Sequence, residues 1–436
     1  MTCSLLLDYY QLSMVEVYLK RGLNSRASFE FFVRRLPEKR NFLIAAGLEQ
    51  VLDYLEGLSF SKEELEFLEE QGFSGELLDY LSNFSFSGDV WAMAEGTPFF
   101  ANEPILRVEA PLPQAQLVET RIINILHFQT LIASKAARVA IAAGDRPVID
   151  FGLRRSHEAH AGLYAARACY IGGFTSTATV EAGRLFGIPV TGTMAHSYIL
   201  AHESEEQAFR NFIEVHPKGP ILLIDTFDVE KAARLVTKLF HEYASKGINI
   251  RGVRIDSGDL LALSKDVRAI LDEKGCKEMK IFVSGGLDET RIEELVGAGA
   301  PIDGFGVGTL VDTSADAPFL DCAYKMVEYN GFPRMKFSKG KVTLPFRKQV
   351  FRNLDEKGCL KEDVIGVMEK ELPGIPLLVK VMEDGRIIRR ETLTNMRNRL
   401  LEGLASLPTD FKRLDSKATH QPMLAEFLNA FLSKNS

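Results

Sequence analysis

The chain has 436 residues, 46% of them hydrophobic and 25% charged, with a net charge of −7 and a pI near 5.8. This is an ordinary globular composition, long enough for two or three domains. It argues against a general nucleic-acid binder, so an anionic ligand must be met by local positive charge. The N-terminus has no basic stretch, and its apolar run Leu5 to Leu7 is cut off by Asp8. No segment approaches the roughly 20 apolar residues that a membrane span requires, and no signal peptide is expected. The five cysteines, Cys3, Cys169, Cys276, Cys322 and Cys359, are odd in number, far apart and without a CxxC pair. Reduced thiols in a cytoplasmic protein are expected, not a disulfide framework or a structural zinc site.

Residues 5–22 have helical periodicity, carried by Leu6, Leu7, Tyr10, Met14, Val17 and Tyr18. Arg26 to Arg34 reads as a strand with aromatic content, and Asn41 to Leu55 as a helix. Ser61 followed by Glu64 is the signature of a capping box. Gly88 to Pro98 and Phe99 to Glu109 read as two short strands, broken at Glu95 to Pro98. Residues 1–110 are therefore expected to form a mixed α/β domain. Gln114 to Ala143 is expected to be one long helix ended by Gly144. Its Lys135 and Arg138 suit a helix dipole and are read as structural.

From Arg146 short apolar runs alternate with helical runs. The runs are Val148–Phe151, Cys169–Gly173, Pro189–Gly192, Ile221–Asp225, Ile250–Ile255, Lys280–Val283 and Ile302–Val307. Each ends in a polar or glycine-rich cluster. Seven such clusters in series point to a parallel β/α barrel with its chemistry on one rim. A doubly wound open sheet would instead concentrate polar residues at one switch point. Seven units instead of eight predict an irregular or truncated TIM-like barrel, placed at 111–325. Beyond it, Met326 to Tyr329, Arg334 to Phe337 and Lys341 to Leu344 read as a meander with turns at Gly331 and Lys339-Gly340. Gln349 to Asn353 reads as a further strand, and Val379 to Ile388 as a hairpin across Asp384-Gly385. The last 40 residues return to helix. Residues 326–436 are expected to complete the flanking domain, which is then built from both chain ends.

The strand Val148 to Phe151 ends in Gly152, Arg154 and Arg155, fixed positive charge suited to an anionic substrate. Two solvated arginines in a surface loop are the plain alternative. Ser284, Gly285 and Gly286, with Gly306, Gly308 and Thr309, follow the last two strands. Glycine lets backbone N–H groups approach phosphate oxygens, and following helix N-termini add partial positive charge. Asp256 could accept from sugar hydroxyls or meet a metal that also holds phosphate, with Arg254 on the same side of its strand. An internal salt bridge is the alternative there. His196, in a small-residue loop, suits a nucleophile or proton shuttle, or else a buried hydrogen-bonded histidine. His157, His160 and His202 are not spaced as metal ligands, and the sequence does not identify a metal site.

Taken together, Leu6 to Leu12, Asp150 to Arg155, Ile171 to Thr177, Gly187 to His196, Arg254 to Gly258, Ser284 to Gly286 and Gly306 to Thr309 resemble the nicotinate phosphoribosyltransferase family, one of the type II phosphoribosyltransferases. They occur in the family's order and span most of the chain; beyond about residue 355 little matches. The resemblance implies condensation of nicotinate with 5-phosphoribosyl-1-pyrophosphate to nicotinate mononucleotide and pyrophosphate, in NAD biosynthesis (salvage). It implies Mg²⁺, ATP as co-substrate, and a phosphohistidine at His196. It also implies a head-to-tail homodimer with sites at the subunit interface. Tyr10 would stack on the pyridine ring from the partner subunit, Phe151 would cover its other face, and Arg154 would meet its carboxylate. Arg155 would reach phosphate or anchor the loop. Thr175 and Ser176 lie in the loop that holds an aspartate in nicotinamide-specific relatives; Gly173 to Val180 contains no acid, which favours a carboxylate substrate. Arg254 and Asp256 fall at the catalytic rim. The alternatives are a nicotinamide or quinolinate phosphoribosyltransferase, and a non-catalytic phosphometabolite-binding barrel. No nucleic acid or membrane partner is expected.

Overall fold

The computed structural model describes residues 4–336 and 343–435, apart from 416 and 419. Cys3, the expected turn at Lys339-Gly340 and the strand ends Phe337 and Lys341 lie outside them. The chain forms two compact units, Met1–Ser134 with Phe319–Ser436, and Lys135–Pro318. These differ from boundaries drawn at residues 110 and 325, and the reason is local. Gln11 Nε2 donates to the carbonyls of Gln116 (2.9 Å) and Leu117 (2.8 Å), and Tyr324 Oη to that of Ala115 (3.0 Å). Arg40 donates to Leu131 O at 2.7 Å. These buried contacts tie residues up to Ser134 to the first unit.

The first unit holds a seven-stranded antiparallel sheet. Its order is Phe332–Pro333, Cys322–Tyr329, Arg26–Val33, Pro104–Pro111, Asp89–Met93, Leu378–Glu383 and Arg386–Ile387. Arg26–Val33 is buried along almost its whole length, Ser28 and Glu30 included, because it is paired on both edges in the middle of the sheet. A four-stranded sheet runs Ile375–Pro376, Lys348–Leu354, Leu360–Val367, Met423–Leu424. The capping box is present: Glu64 N donates to Ser61 Oγ (3.2 Å) and Ser61 N to Glu64 Oε2 (2.8 Å). So is the hairpin at Asp384-Gly385, whose φ values of 47° and 74° are those of a type I′ turn. The expected meander after Pro318 is not there as drawn. Its first turn forms, with Cys322–Tyr329 pairing across Gly331 with Phe332–Pro333, but the other edge of Cys322–Tyr329 pairs with the distant strand Arg26–Val33, and Arg334 to Lys336 is not strand. Asn41 to Leu55 divides into a two-residue strand, Leu43–Ile44, and the helix Leu48–Gly57. Gln114 to Ala143 is likewise two helices, Leu112–Leu117 and Glu119–Ala143.

The second unit holds six parallel strands alternating with helices. In chain order they are Val148–Asp150, Ser176–Thr177, Ile221–Leu223, Gly252–Ile255, Lys280–Ser284 and Gly304–Val307. In the sheet the order is second, first, sixth, fifth, fourth, third, so the first strand lies beside the last. A single parallel bridge, Thr177 to Val190, continues the run beyond the second strand. That bridge is all that Pro189–Gly192 contributes. The expected strand Cys169–Gly173 is a correction: Cys169 to Ile171 are the last turn of the helix Ala159–Ile171, and the strand comes later, at Ser176–Thr177. The alanine-rich segment favours helix, and its apolar face, including Ala165, Ala168 and Cys169, is fully buried. A short apolar run cannot by itself distinguish a buried strand from a buried helix face. No helix among the described residues is long and apolar enough to cross a membrane.

Candidate active site

The C-terminal ends of the second unit's strands converge on one rim. The first strand stops at Asp150, whose buried carboxylate accepts from Gly152 N (2.8 Å) and Thr177 Oγ1 (2.6 Å). These bonds bend the chain into a single tight turn, Leu153–Arg155, with Arg155 N donating to Gly152 O (2.8 Å). Arg154 and Arg155 project from it into solvent. Glu158 then adopts φ 91°, a strained conformation for a side-chain-bearing residue, and its carboxylate accepts from His160 N at the start of the next helix.

The glycines after the last strand serve packing first. A Cβ on Gly306 would lie 2.6 Å from ring atoms of Phe151, and one on Gly308 would lie 2.6 Å from Phe151 O. The Phe151 ring therefore lies flush on the Gly306 backbone, with Arg254 at 5.8 Å from its centroid. Gly285, at φ +92°, is forced by close approach to Asp256 O; Gly286, at φ +62°, faces open space. The expected help from a helix N-terminus is partly spent, because Asp288 caps the helix Glu289–Gly297 by accepting from Arg291 N (2.9 Å). The loop's open backbone is at Gly286.

Arg254 donates to Thr193 Oγ1 (2.5 Å) and Met194 O (3.1 Å), while its Nε, also buried, has no partner among the described residues. Burial lowers its pKa, opposed by the charges of Asp256 and Asp225 and reinforced by that of Arg154. Asp256 accepts from the buried Ser284 hydroxyl. His196 Nε2 lies 3.1 Å from Asp225 Oδ1. The other oxygen of Asp225 accepts from Asp256 N (2.9 Å) and Ser257 Oγ (2.7 Å). Asp225 thus joins the histidine loop to the Asp256 loop. Sequence reasoning placed it in a strand-end cluster but assigned it no role. An orphaned guanidinium N–H, two exposed arginines and an aspartate-held histidine on one rim suit an anionic, phosphorylated substrate.

Two family models match the chain: the nicotinate phosphoribosyltransferase N-terminal domain over residues 5–127, and the nicotinate phosphoribosyltransferase family over residues 147–341. Nicotinate phosphoribosyltransferase pncB2 of Mycobacterium tuberculosis is 44% identical over 96% of this chain and 91% of its own. The chain belongs to the nicotinate phosphoribosyltransferase family. Nicotinate phosphoribosyltransferase of Bacillus subtilis is 42% identical over 85% of this chain and 77% of its own. Among solved structures, human nicotinic acid phosphoribosyltransferase superposes with a TM-score of 0.87 at 26% identity, covering 98% of this chain and 99% of that one. The nicotinate-nucleotide pyrophosphorylase of Pyrococcus furiosus gives 0.75 at 28% identity, covering 92% and 94%.

Thr175 donates its hydroxyl to Val148 O (3.0 Å), and Ser176 is buried; it is Thr177, not singled out from sequence, that ties this loop to Asp150. Thr309 is exposed and opens the short helix Thr309–Asp312. Tyr10 is 44% exposed on the helix Tyr9–Lys20 of the first unit. Lys135 and Arg138 are buried against Glu289, at 2.6 and 3.0 Å. Among the described residues no cluster of three or more metal-ligating side chains occurs.

Proposed function

We propose that the chain joins nicotinate to 5-phosphoribosyl-1-pyrophosphate, yielding nicotinate mononucleotide and pyrophosphate for NAD salvage, with ATP hydrolysis coupled through phosphorylation of His196. The observation that carries the base-binding half is Phe151, flush on Gly306 with Arg254 beside its ring and Arg154 exposed in the adjoining turn. This arrangement suits a flat aromatic anion. The ring nitrogen attacks the anomeric carbon as the bond to pyrophosphate breaks, through an oxocarbenium-like state. The nitrogen is already nucleophilic, so no strong general base is required, and the rate rests on orientation and on stabilising the departing pyrophosphate. The open backbone at Gly286 and the Arg254 Nε suit its oxygens.

Asp256, facing that loop, fits Mg²⁺, which takes one or two carboxylates alongside substrate phosphates. When bound, the ion would neutralise charge on the leaving pyrophosphate. With His196 Nε2 donating to Asp225, Nδ1 keeps the lone pair that accepts the phosphoryl group. The cyclic strand order, with Thr177 bridged to Val190, supports an irregular TIM-like barrel. One cleft, lined by residues from the first strand (Ile149) to the third (Ile221) together with Arg254 and Gly306, supports it too. Tyr10, exposed on an N-terminal helix, would complete the base site of a partner subunit in a homodimer. The four described cysteines are free, which supports a cytoplasmic setting.

The test is incubation with the sugar pyrophosphate and each of nicotinate, nicotinamide and quinolinate, with and without ATP. The expected result is a mononucleotide from nicotinate alone, faster with ATP and accompanied by ADP and phosphate. Turnover of nicotinamide with none of nicotinate would overturn the choice of base.

A further inference from the structure

Two buried carboxyl groups lie beneath the turn that carries Arg154. Asp150, at the end of the first strand, binds the turn's first N–H, that of Gly152, at 2.8 Å. Asp312, at the end of the short helix after the last strand, accepts from the Ser156 hydroxyl at the turn's far end, at 2.7 Å. The two carboxyl groups hydrogen-bond one another. Gly152 sits so tightly on Asp312 that a Cβ there would lie 2.1 to 2.4 Å from the three carboxyl atoms. The helix Ala159–Ile171 packs on the pair through the Cys169 thiol, 4.0 Å from Asp312 Oδ1. The turn from Gly152 to Ser156 is thus gripped at both ends by one pair of acids.

We infer that Asp312 is a positioning residue for nicotinate: its carboxyl, joining Asp150 to Ser156 beneath Gly152, fixes the turn from which Arg154 meets the substrate carboxylate. The inference rests on the base-binding role proposed for Arg154. Two carboxyl groups in contact inside a protein do not both ionise. Burial and the charge of Asp150 push the Asp312 carboxyl well above the usual carboxylate range. Asp312 therefore keeps the proton and donates it to Asp150. The Cys169 thiol, raised by burial and then by the two acids, stays neutral. The pair then carries one negative charge instead of two, which limits its competition with the substrate carboxylate for Arg154. Loss of the proton from Asp312 places two like charges in contact and breaks the bond between them. The turn loosens, and Arg154 leaves its register.

The effect belongs to base binding, so it falls on the KM for nicotinate more than on kcat, and not on the KM for the sugar pyrophosphate. In the wild type, nicotinate KM should rise at alkaline pH. Asp312→Asn keeps both contacts, its amide NH₂ donating to Asp150 and its carbonyl accepting from Ser156, but has no proton to lose. It should hold nicotinate KM near the wild-type value at neutral pH and abolish the alkaline rise. Asp312→Leu removes both contacts and should raise nicotinate KM about tenfold or more, as misplacement of a binding group does. Arg154→Ala, measured alongside, must raise nicotinate KM; if it does not, the base-binding reading itself fails. If Arg154→Ala raises KM while the Asp312→Asn pH profile superimposes on the wild type, or Asp312→Leu leaves KM unmoved, the inference is overturned and the base-binding reading stands. Should Asp312→Leu fail to fold, the Asp312→Asn profile decides alone.

Discussion

In the role proposed for His196, a single carboxylate sets it apart from an ordinary surface histidine. His196 is partly exposed, and what distinguishes it is Asp225, whose side chain is 2% exposed and holds Nε2 at 3.1 Å. Because Asp225 also accepts from Asp256 N and Ser257 Oγ, the proposed phosphorylation of His196 would act on the Asp256 loop through one shared carboxylate. His196→Ala should abolish ATP hydrolysis and leave slow, ATP-independent nucleotide formation. Asp225→Asn should reduce the ATP-dependent rate by about 10² to 10⁴, by favouring the wrong imidazole tautomer. Both are read by nucleotide formation with and without ATP and by acid-labile phosphate on the protein. Survival of ATP coupling in His196→Ala sinks the phosphohistidine assignment. His196 stands out in sequence because it closes a small-residue loop. Asp225 was not separable from Asp228, two strand-end acids of equal standing in sequence. In the fold, Asp228 turns away to cap the next helix, accepting from Lys231 N at 3.0 Å.

At the scale of elements, glycine-rich strand ends were read as phosphate cradles, and part of that reading has a different cause. Gly306 and Gly308 are glycines because Phe151 and the backbone after it lie on them. Gly306→Ala should therefore act on the base side: about 1 to 3 kcal/mol of stability lost by overpacking, with nicotinate KM raised through a displaced Phe151. Thermal melts and separate KM values for the two substrates check this. An effect confined to the sugar pyrophosphate would instead favour the cradle reading at this position. Sequence could not separate the two because both demand the absence of a Cβ. The same ambiguity explains the misread Cys169–Gly173. Burial on one face makes a helix end as apolar as a strand, and only the neighbour it packs against tells which it is.

At the scale of the whole molecule, the proposed shared site makes a prediction that neither unit makes alone. Tyr10→Ala and Arg154→Ala should each raise nicotinate KM as separate preparations. If Tyr10 reaches the partner's site, unfolding and refolding the two variants together should restore up to roughly a quarter of wild-type activity, since half of the random dimers carry one intact site of two. Recovery no greater than the sum of the two variants would place both residues in the same subunit's site, or remove Tyr10 from it. The alternation of apolar runs with helices, the glycine and arginine strand ends, the capping box and the Asp384-Gly385 turn were all legible from sequence. Each depends on residues within a few positions of one another, where periodicity and steric preference act directly. Tertiary structure alone decided that Val148–Asp150 lies beside Gly304–Val307 and that Arg26–Val33 pairs with Cys322–Tyr329. It also decided that Asp312 sits under Gly152 and Asp225 behind His196. Those contacts join residues 29 to 302 positions apart, as with Asp225 and His196 or Ala27 and Tyr329, so no local pattern encodes which partner each will meet.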